Sequence, residues 1–465
     1  MNLNAIDDRT LKRSLDLNII AASLGTVFFT VFGIPVGSPL FTGFMRSLGA
    51  GDFIYSIVMA LPVLGAASQV VGSYFLETTG KRRFVFLASG FAHRLLWIPV
   101  ALIPLFVNPN RHEAIIWSIT ILITLSSIAN SLCTVAFNSW MGDLVPKEII
   151  GRFFSKRALM STIAGAVAGL ALSVFIDRVN NFNGFAILFI LGAMFGVADI
   201  SVFSRIHHPQ LQLHEKKPTL LSTLIDPFKN KEYVLFALFA TVFAFGVNFS
   251  APFINVYMIE NLRMNYLMIT LSTQIMVGVS TILFVRKWGS LADRYGNRFV
   301  LIVNAVGIAV VPAVWAFTTP GNYLLVFILN FFAGVFWSGY NIAIFNQSVW
   351  LAPNQNRSAY IACFSLLTSV FGTAVAYLCG GIFMQYARPF FNSTHIPFIA
   401  GTTLNAYNVL FLISALMRVV AVLFVLPLVR EEKMESTRLI LGQIVRGYGL
   451  QYRRFLLRIL FLVKK

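Results

Sequence analysis

The sequence predicts an all-α membrane protein: twelve transmembrane helices in two parallel six-helix pseudo-repeats, with the N- and C-termini in the cytoplasm. Three observations predict it. Hydrophobic residues make up 57% of the 465 and charged residues 12%, and the mean hydropathy is +0.76, too much apolar surface for one water-soluble core. The apolar residues are gathered into runs long enough to cross a bilayer. A charged turn between two such runs, Gly289 to Arg298 (GSLADRYGNR), has a worn copy, Ser73 to Arg82 (SYFLETTGKR), between two others.

A helix that crosses ~30 Å of hydrocarbon satisfies its backbone hydrogen bonds internally and needs about 20 apolar residues. Such segments run near 17–37, 52–75, 84–107, 114–138, 158–176, 183–204, 233–258, 266–286, 298–318, 322–346, 358–385 and 405–429. The 36 Lys and Arg orient them. With the N-terminus in the cytoplasm, Arg46, Arg111, Arg178, Arg263 and Arg388 fall outside, Arg94 and Arg418 fall within spans, and all others fall in the tails and cytoplasmic turns. This asymmetry is the positive-inside rule. It accounts for the net charge of +18 through contact with anionic headgroups of a cytoplasmic (inner) membrane, and it sets nucleic acid aside as a partner. Cys133, Cys363 and Cys379 all lie in spans without C-x-x-C spacing, which indicates neither a disulfide framework nor a metal site. The N-terminal MNLNAIDDRTLKRS lacks the cleavage pattern of a signal peptide, so the first span is expected to be retained.

The segments that follow spans 4 and 10 also repeat. AFNSWMGDLVPKEIIGR (Ala136 to Arg152) and IFNQSVWLAPNQNR (Ile344 to Arg357) share Phe-Asn, then a Pro, then an Arg. Gly80 and Gly296, and Pro146 and Pro353, are separated by nearly the same length of chain. An even number of spans divides the copies, so both halves run in the same direction. The expected organisation is an N-terminal six-helix half (1–204), a polar cytoplasmic linker (205–232), a C-terminal half (233–429) and a basic tail (430–465). In the tail, Leu, Ile and Phe alternate with Arg438, Arg446, Arg453, Arg454 and Arg458, the pattern of an amphipathic helix lying on anionic lipid.

Twelve spans, two parallel halves and a glycine-acid-base-glycine-base segment after the second span of each half resemble the major facilitator superfamily, over about residues 15 to 430. That family's segment reads roughly G-x-x-x-D-R/K-x-G-R-R/K. Gly289, Asp293, Arg294, Gly296 and Arg298 match it, with Asn297 replacing a base; in the first copy Gly80, Lys81 and Arg82 match, while Ser73, Glu77 and Thr78 depart. The glycines permit a tight reversal, and the acid can pair with bases and with the positive end of a neighbouring helix. The resemblance implies a cytoplasmic latch between the halves, assigned to Asp293 and more weakly to Glu77.

It also implies that spans 1, 4, 7 and 10 line a central cavity, and each carries polar residues at helical spacing. Span 1 has Thr26 and Thr30; span 4 has Ser127, Asn130, Ser131, Thr134 and Asn138; span 7 has Thr241, Asn248 and Asn255; span 10 has Asn330, Trp337, Tyr340 and Asn341. A buried amide without a partner is costly, so these groups face either water or another helix, where they would bridge packed spans. No acid lies in the middle of those four spans, which favours a neutral or anionic solute over a cation. Arg94 and Arg418 lie near mid-membrane and each needs a carboxylate, a backbone carbonyl or a solute anion. Asp199, the acid well inside span 6, is placed to meet Arg94.

No H-E-x-x-H, G-x-S-x-G or Walker-type loop is present, and His207, His208 and His214 in the linker lack metal-site company. The expected protein is therefore not an enzyme and uses no cofactor. It is a monomeric secondary transporter moving a small solute by alternating access. The rival reading is a translocator of lipids or amphiphiles, for which the 45 Phe would be suited, or a non-transporting receptor on the same fold.

Overall fold

The computed structural model describes residues 7–33, 38–65, 68–69, 72, 75–76, 80–107, 111–146, 148–179, 181–209, 226–353, 357–394, 396–398 and 403–428. Among them the protein is helical, with one isolated β-bridge between Pro397 and Thr403. The helices are α1 (Asp8–Phe32), α2 (Pro39–Ser47), α3 (Asp52–Gly65), α4 (Arg82–Phe106), α5 (His112–Leu144), α6 (Ile150–Val179), α7 (Phe182–Phe203), α8 (Lys231–Glu260), α9 (Tyr266–Tyr295), α10 (Asn297–Trp315), α11 (Tyr323–Trp350), α12 (Tyr360–Thr394) and α13 (Ala406–Val425). All but α2 and α3 are long and apolar enough to cross a membrane, eleven in number. The apolar α3 occupies the start of the expected second span, and the chain beyond it is described only in part.

Asparagine sets many of the helix starts. Its side-chain oxygen accepts from the first free N–H groups that no intrahelical carbonyl can reach. Asn181 does this for Gly184 at α7, Asn230 for Glu232 and Tyr233 at α8, and Asn265 for Met268 at α9. Asn405 and Asn408 cap each other reciprocally at α13. At α2, Ser38 accepts from Phe41 N–H and Pro39 occupies the first turn, where its missing N–H costs nothing.

The segment Gly289 to Arg298 is not the turn that its charge suggests. Helix α9 continues through Tyr295, and the chain reverses at Gly296 alone, with φ +90°, before α10 begins at Asn297. Leu291, Ala292 and Arg294 are good helix formers, so only the residue in a positive-φ conformation breaks the run. Gly80, with φ +65°, is its counterpart before α4; Glu77, the other latch residue expected there, lies outside the described residues, as does the C-terminal tail from residue 429.

Three apolar cores hold the helices. The largest mixes Phe32, Phe44, Tyr55 and Trp97 from the N-terminal helices with Phe253, Tyr257, Tyr377 and Tyr407 from the C-terminal ones. The other two are not shared. Phe86, Trp140 and Phe203 belong to a core built only from N-terminal helices, and Tyr233, Phe243, Phe299 and Tyr340 to one built only from C-terminal helices. The two sets of helices thus pack together at one end, through α3 on α12, α6 on α9 and α2 on α8, and keep separate cores at the other.

Close backbone approach at the joined end depends on glycine. A Cβ on Gly381 would run into Ser56, and one on Gly380 into the carbonyl oxygen of Phe249 in α8. Because that second contact is backbone against backbone, Gly380→Ala is expected to cost roughly 1–3 kcal/mol of overpacking. It should lower the thermal unfolding midpoint of the detergent-solubilised protein, whereas Gly278→Ala, with nothing within 4 Å of the added atom, should leave it unchanged.

Candidate functional site

Four charged side chains meet at the joined end. Arg46, in the last turn of α2, pairs with Asp52 at the start of α3, and its Nε lies 3.1 Å from Glu260 Oε1 at the end of α8. Arg388 of α12 pairs with the same two acids, reaching Asp52 Oδ2 at 3.3 Å and Glu260 Oε2. Each acid is therefore shared between two bases. The arrangement is backed by Tyr407, whose hydroxyl donates to Glu260 at 3.4 Å and whose ring lies under the Arg388 guanidinium at 5.5 Å. Arg46 and Asp52 come from N-terminal helices and Glu260 and Arg388 from C-terminal ones. Nearby, the Asp177 carboxylate at the end of α6 accepts from the N–H groups of Tyr266 and Leu267, at 2.8 and 2.9 Å, capping α9 across the same boundary and meeting its positive end. Ser173 and Thr270 share a hydrogen bond of 2.7 Å one turn deeper.

Sequence reasoning missed this cluster. It counted Arg46 and Arg388 as exterior charges and Glu260 as a span-end acid. The available signal was that acids, Asp52, Glu113, Asp177 and Glu260, flank the same exterior turns as Arg46, Arg111, Arg178 and Arg263, but their pairing needs contacts between residues hundreds of positions apart.

The second feature is the Arg94–Asp199 ion pair, which joins α4 to α7 at 2.8 Å with both residues buried. Glycines make the space: a Cβ on Gly25 would come within 2.6 Å of Asp199 Oδ2, and one on Gly196 within 2.5 Å of Arg94 Cγ. The Arg94 guanidinium also lies against the Phe28 and Phe29 rings, at 5.3 and 5.5 Å. Beside the pair is a cavity of about 340 Å³ whose lining includes Thr26, Asn130, Thr134 and Arg157 together with Phe29 and Phe137. Arg157 belongs to α6, which begins at Ile150, earlier than the expected fifth span. The sequence reading had left it among cytoplasmic bases.

The polar stripes do not behave as single faces. In α5, Asn130 and Thr134 line the cavity, but Ser127 and Ser131 turn toward α3 and donate to the carbonyls of Pro62 and Gly65, at 2.5 and 3.4 Å, while Asn138 is exposed. Thr26 and Thr30 of α1 bond back to the carbonyls of Ala22 and Thr26 and face Gly165 of α6. In α8, Asn248 donates to Gly372 O and Thr373 Oγ1 in a π-helical stretch of α12, at 3.1 and 3.0 Å. Thr241 Oγ1 and Asn330 Nδ2 are buried and find no hydrogen-bond partner among the described residues, and Asn255 is half-buried. In α11, Tyr340 is buried and stacks on Phe243 at 5.0 Å, Trp337 packs edge-on against Tyr340, and Asn341 is exposed. Periodicity identified the polar faces; it could not say which of them a neighbouring helix covers.

The remaining charges find different partners. Arg418 is buried and meets no carboxylate among the described ion pairs; it donates to Ile308 O and Ser414 Oγ, both at 3.0 Å, and to Val247 O at 3.4 Å. Arg82 is fully buried and ties α4 to the end of α5, with Asp143 at 2.5 Å and Ser139 O at 3.0 Å, and to Pro209 O at 2.6 Å. Lys81 is exposed. At the other copy Asp293 is exposed and joins none of the ion pairs among the described residues. Arg294 stacks on Tyr295, Arg298 donates to Pro427 O at 3.3 Å, and Gly289 sits within α9 with open space around it. His93 shares a 2.6 Å hydrogen bond with Ser126 and packs against Phe28.

Long apolar helices enclosing an ion pair and a polar cavity define a multi-pass helical membrane protein of the transporter type. The chain belongs to the Major Facilitator Superfamily, whose family model matches residues 22–376 and 287–462. Among solved structures, it is similar to a mutant of the nucleoside transporter NupG, at 16% identity and TM-score 0.70, covering 90% of this chain and 100% of that one. It is also similar to a bacterial homolog of the human lysosomal transporter Spinster, at 15% and 0.69, covering 91% and 98%, and to a D-xylose-proton symporter, at 14% and 0.65, covering 91% and 98%. No curated protein sequence matches the chain. The family is one of membrane transporters, and these structures share its fold.

The ion pair yields a direct test. Asp199→Asn strands a buried guanidinium and is expected to cost on the order of 3–5 kcal/mol, whereas replacing both partners with apolar residues (Arg94→Met with Asp199→Leu) should recover most of that loss. Thermal unfolding of the two proteins in detergent measures the difference.

Proposed function

We propose that the protein is a secondary transporter that moves a small solute by alternating access between two six-helix halves, residues 1–204 and 233–429, joined by the cytoplasmic linker 205–232. The observation that carries this reading is the one-ended closure: a shared core and a four-residue ion cluster join the helices at one end, and the cores are separate at the other. A membrane protein that only needed stability would gain from burying both ends.

On this reading α3 and the chain that follows it form the second of twelve spans, and both termini lie in the cytoplasm of a cell with the protein in its inner membrane. The positive-inside distribution supports that orientation. The joined end then faces outward, and the cleft opens to the cytoplasm. The exposed Asp293, which joins no ion pair among the described residues, fits a latch that is released in this state and engages when the cytoplasmic side closes. Asn130 and Thr134 of α5, Thr26 of α1 and Asn341 of α11 face the route, and a neutral or anionic solute suits a set of walls whose charges are predominantly basic. The protein works as a monomer, because each half supplies the other's partner surface. Its basic tail rests on anionic lipid.

Reconstitution into proteoliposomes with a panel of radiolabelled solutes, alongside a fluorescent-lipid scrambling assay, tests the function. Solute uptake is expected; scrambling without solute flux would favour a lipid translocator and overturn the reading. Asn130→Ala and Asn341→Ala should each reduce uptake several-fold, as loss of one or two hydrogen bonds of about 1 kcal/mol does, with surface expression retained. Arg388→Gln combined with Glu260→Gln should weaken the outer closure. It should raise labelling from outside of a cysteine placed at Ser56; unchanged labelling would show that the cluster does not hold that end.

A further inference from the structure

We propose that the cavity beside the Arg94–Asp199 pair is an anion subsite, in which Arg157 and the unpaired nitrogens of Arg94 receive a carboxylate or phosphate group of the transported solute. This rests on the transporter reading and names the class of solute.

Two guanidiniums and one carboxylate line the cavity, so its wall carries an unbalanced positive charge at low dielectric, where an oxyanion is drawn in and a cation is repelled. The state of Arg94 points the same way. It is 5% exposed and spends only Nη2 on Asp199; its Nη1 and Nε are buried and find no oxygen or nitrogen partner among the described residues, with the Cys133 thiol beside the group. Buried donors left unmade are costly, and Arg418 leaves fewer of them, its Nε alone. Arg418 bonds through both terminal nitrogens to carbonyl and hydroxyl oxygens and lines none of the described cavities.

Arg157 is the second arm. Its Nε donates to Asn18 Oδ1 at 2.9 Å, and its guanidinium carbon lies over the Phe137 ring at 4.9 Å, which fixes the plane of the group. It forms no ion pair among the described residues. A guanidinium held flat on a ring with terminal N–H groups to spare is suited to a planar carboxylate or to two oxygens of a phosphate. Asp199 acts as a positioning residue: it anchors Arg94 and keeps the site from carrying two uncompensated charges. Asn130 supplies a neutral amide for the rest of the solute. The volume, about 340 Å³, is at the small end of ligand pockets, so the solute is a small organic acid or a phosphate monoester.

The test uses matched pairs that differ in the anionic group, glycerol 3-phosphate against glycerol and benzoate against benzyl alcohol, with inorganic phosphate as a further probe. Binding to the purified full chain is measured by calorimetry and by thermal shift. At least one anionic member should bind more tightly than its neutral partner. Arg157→Gln should weaken that binding on the order of tenfold or more, as loss of a charge-assisted hydrogen bond does, and Arg157→Lys should restore part of it. The unliganded melting temperature of Arg157→Gln should stay close to that of the parent, since this side chain is only partly buried and has a single amide partner.

Equal binding of charged and neutral members, or wild-type anion binding by Arg157→Gln, would overturn the proposal. So would Arg157-dependent movement of fluorescent phosphatidylglycerol without binding of any soluble anion. Proteoliposome uptake separates this failure from that of the transporter reading. Uptake of neutral solutes at an undiminished rate by Arg157→Gln, with no anion preference, removes the subsite and leaves the transporter; absence of any uptake removes the transporter itself.

Discussion

The Arg46–Asp52–Glu260–Arg388 cluster is the constraint on which the arrangement of the helices depends. Each charge sits near a helix end and is only partly exposed, where an unpaired ion would be expensive and an isolated exposed pair would contribute little. Sharing each acid between two bases removes both problems, but only while the N-terminal and C-terminal helices are brought together at this end. The mixed aromatic core beneath the cluster, Gly381 of α12 against Ser56 and the Asp177 cap on α9 all lie on the same boundary. At the other end nothing comparable spans the two sets among the described residues. Arg82 and Arg298, the last bases of the paired segments, bond to Ser139, Asp143 and Pro209 and to Pro427, respectively.

The two buried arginines show how one problem has two solutions. Arg94 is balanced by a carboxylate in a space cleared by Gly25 and Gly196, beside a cavity. Arg418 is balanced by carbonyl and hydroxyl oxygens of packed helices. The first leaves two nitrogens, Nε and Nη1, without a hydrogen bond among the described residues and the second leaves Nε alone, so the same residue type is satisfied differently in the two sets of helices.

Much of the fold was legible because the bilayer imposes a length and a composition on every span. The expected segments coincide with the long helices to within a few residues at most ends, and the asparagine caps explain where several begin. The Arg94–Asp199 contact was also legible, since Asp199 is the one acid well inside a span and Arg94 the mid-membrane base in the same half. Three things were not. Charge made Gly289 to Arg298 look like a turn, although backbone conformation breaks only at Gly296. The α5 stripe read as one face, but Ser127 and Ser131 are covered by α3 while Asn130 and Thr134 are not. Arg157 looked like a loop base because α6 extends well beyond its apolar core, so its helical position and its cavity were hidden in a polar stretch. In each case the missing information was which neighbour lies against a face, and that is set by packing between distant segments.

The central claim is that the joined end must open for the protein to work. Ser173 and Thr270 face each other across it with their hydroxyl oxygens 2.7 Å apart, so cysteines at both positions are within reach of a disulfide in a background without Cys133, Cys363 and Cys379. Solute uptake by the double variant in proteoliposomes is the direct measurement. The account predicts that oxidation abolishes uptake and that reduction restores it, while either single cysteine is indifferent to both treatments. Full uptake with the cross-link shown to be complete would contradict it.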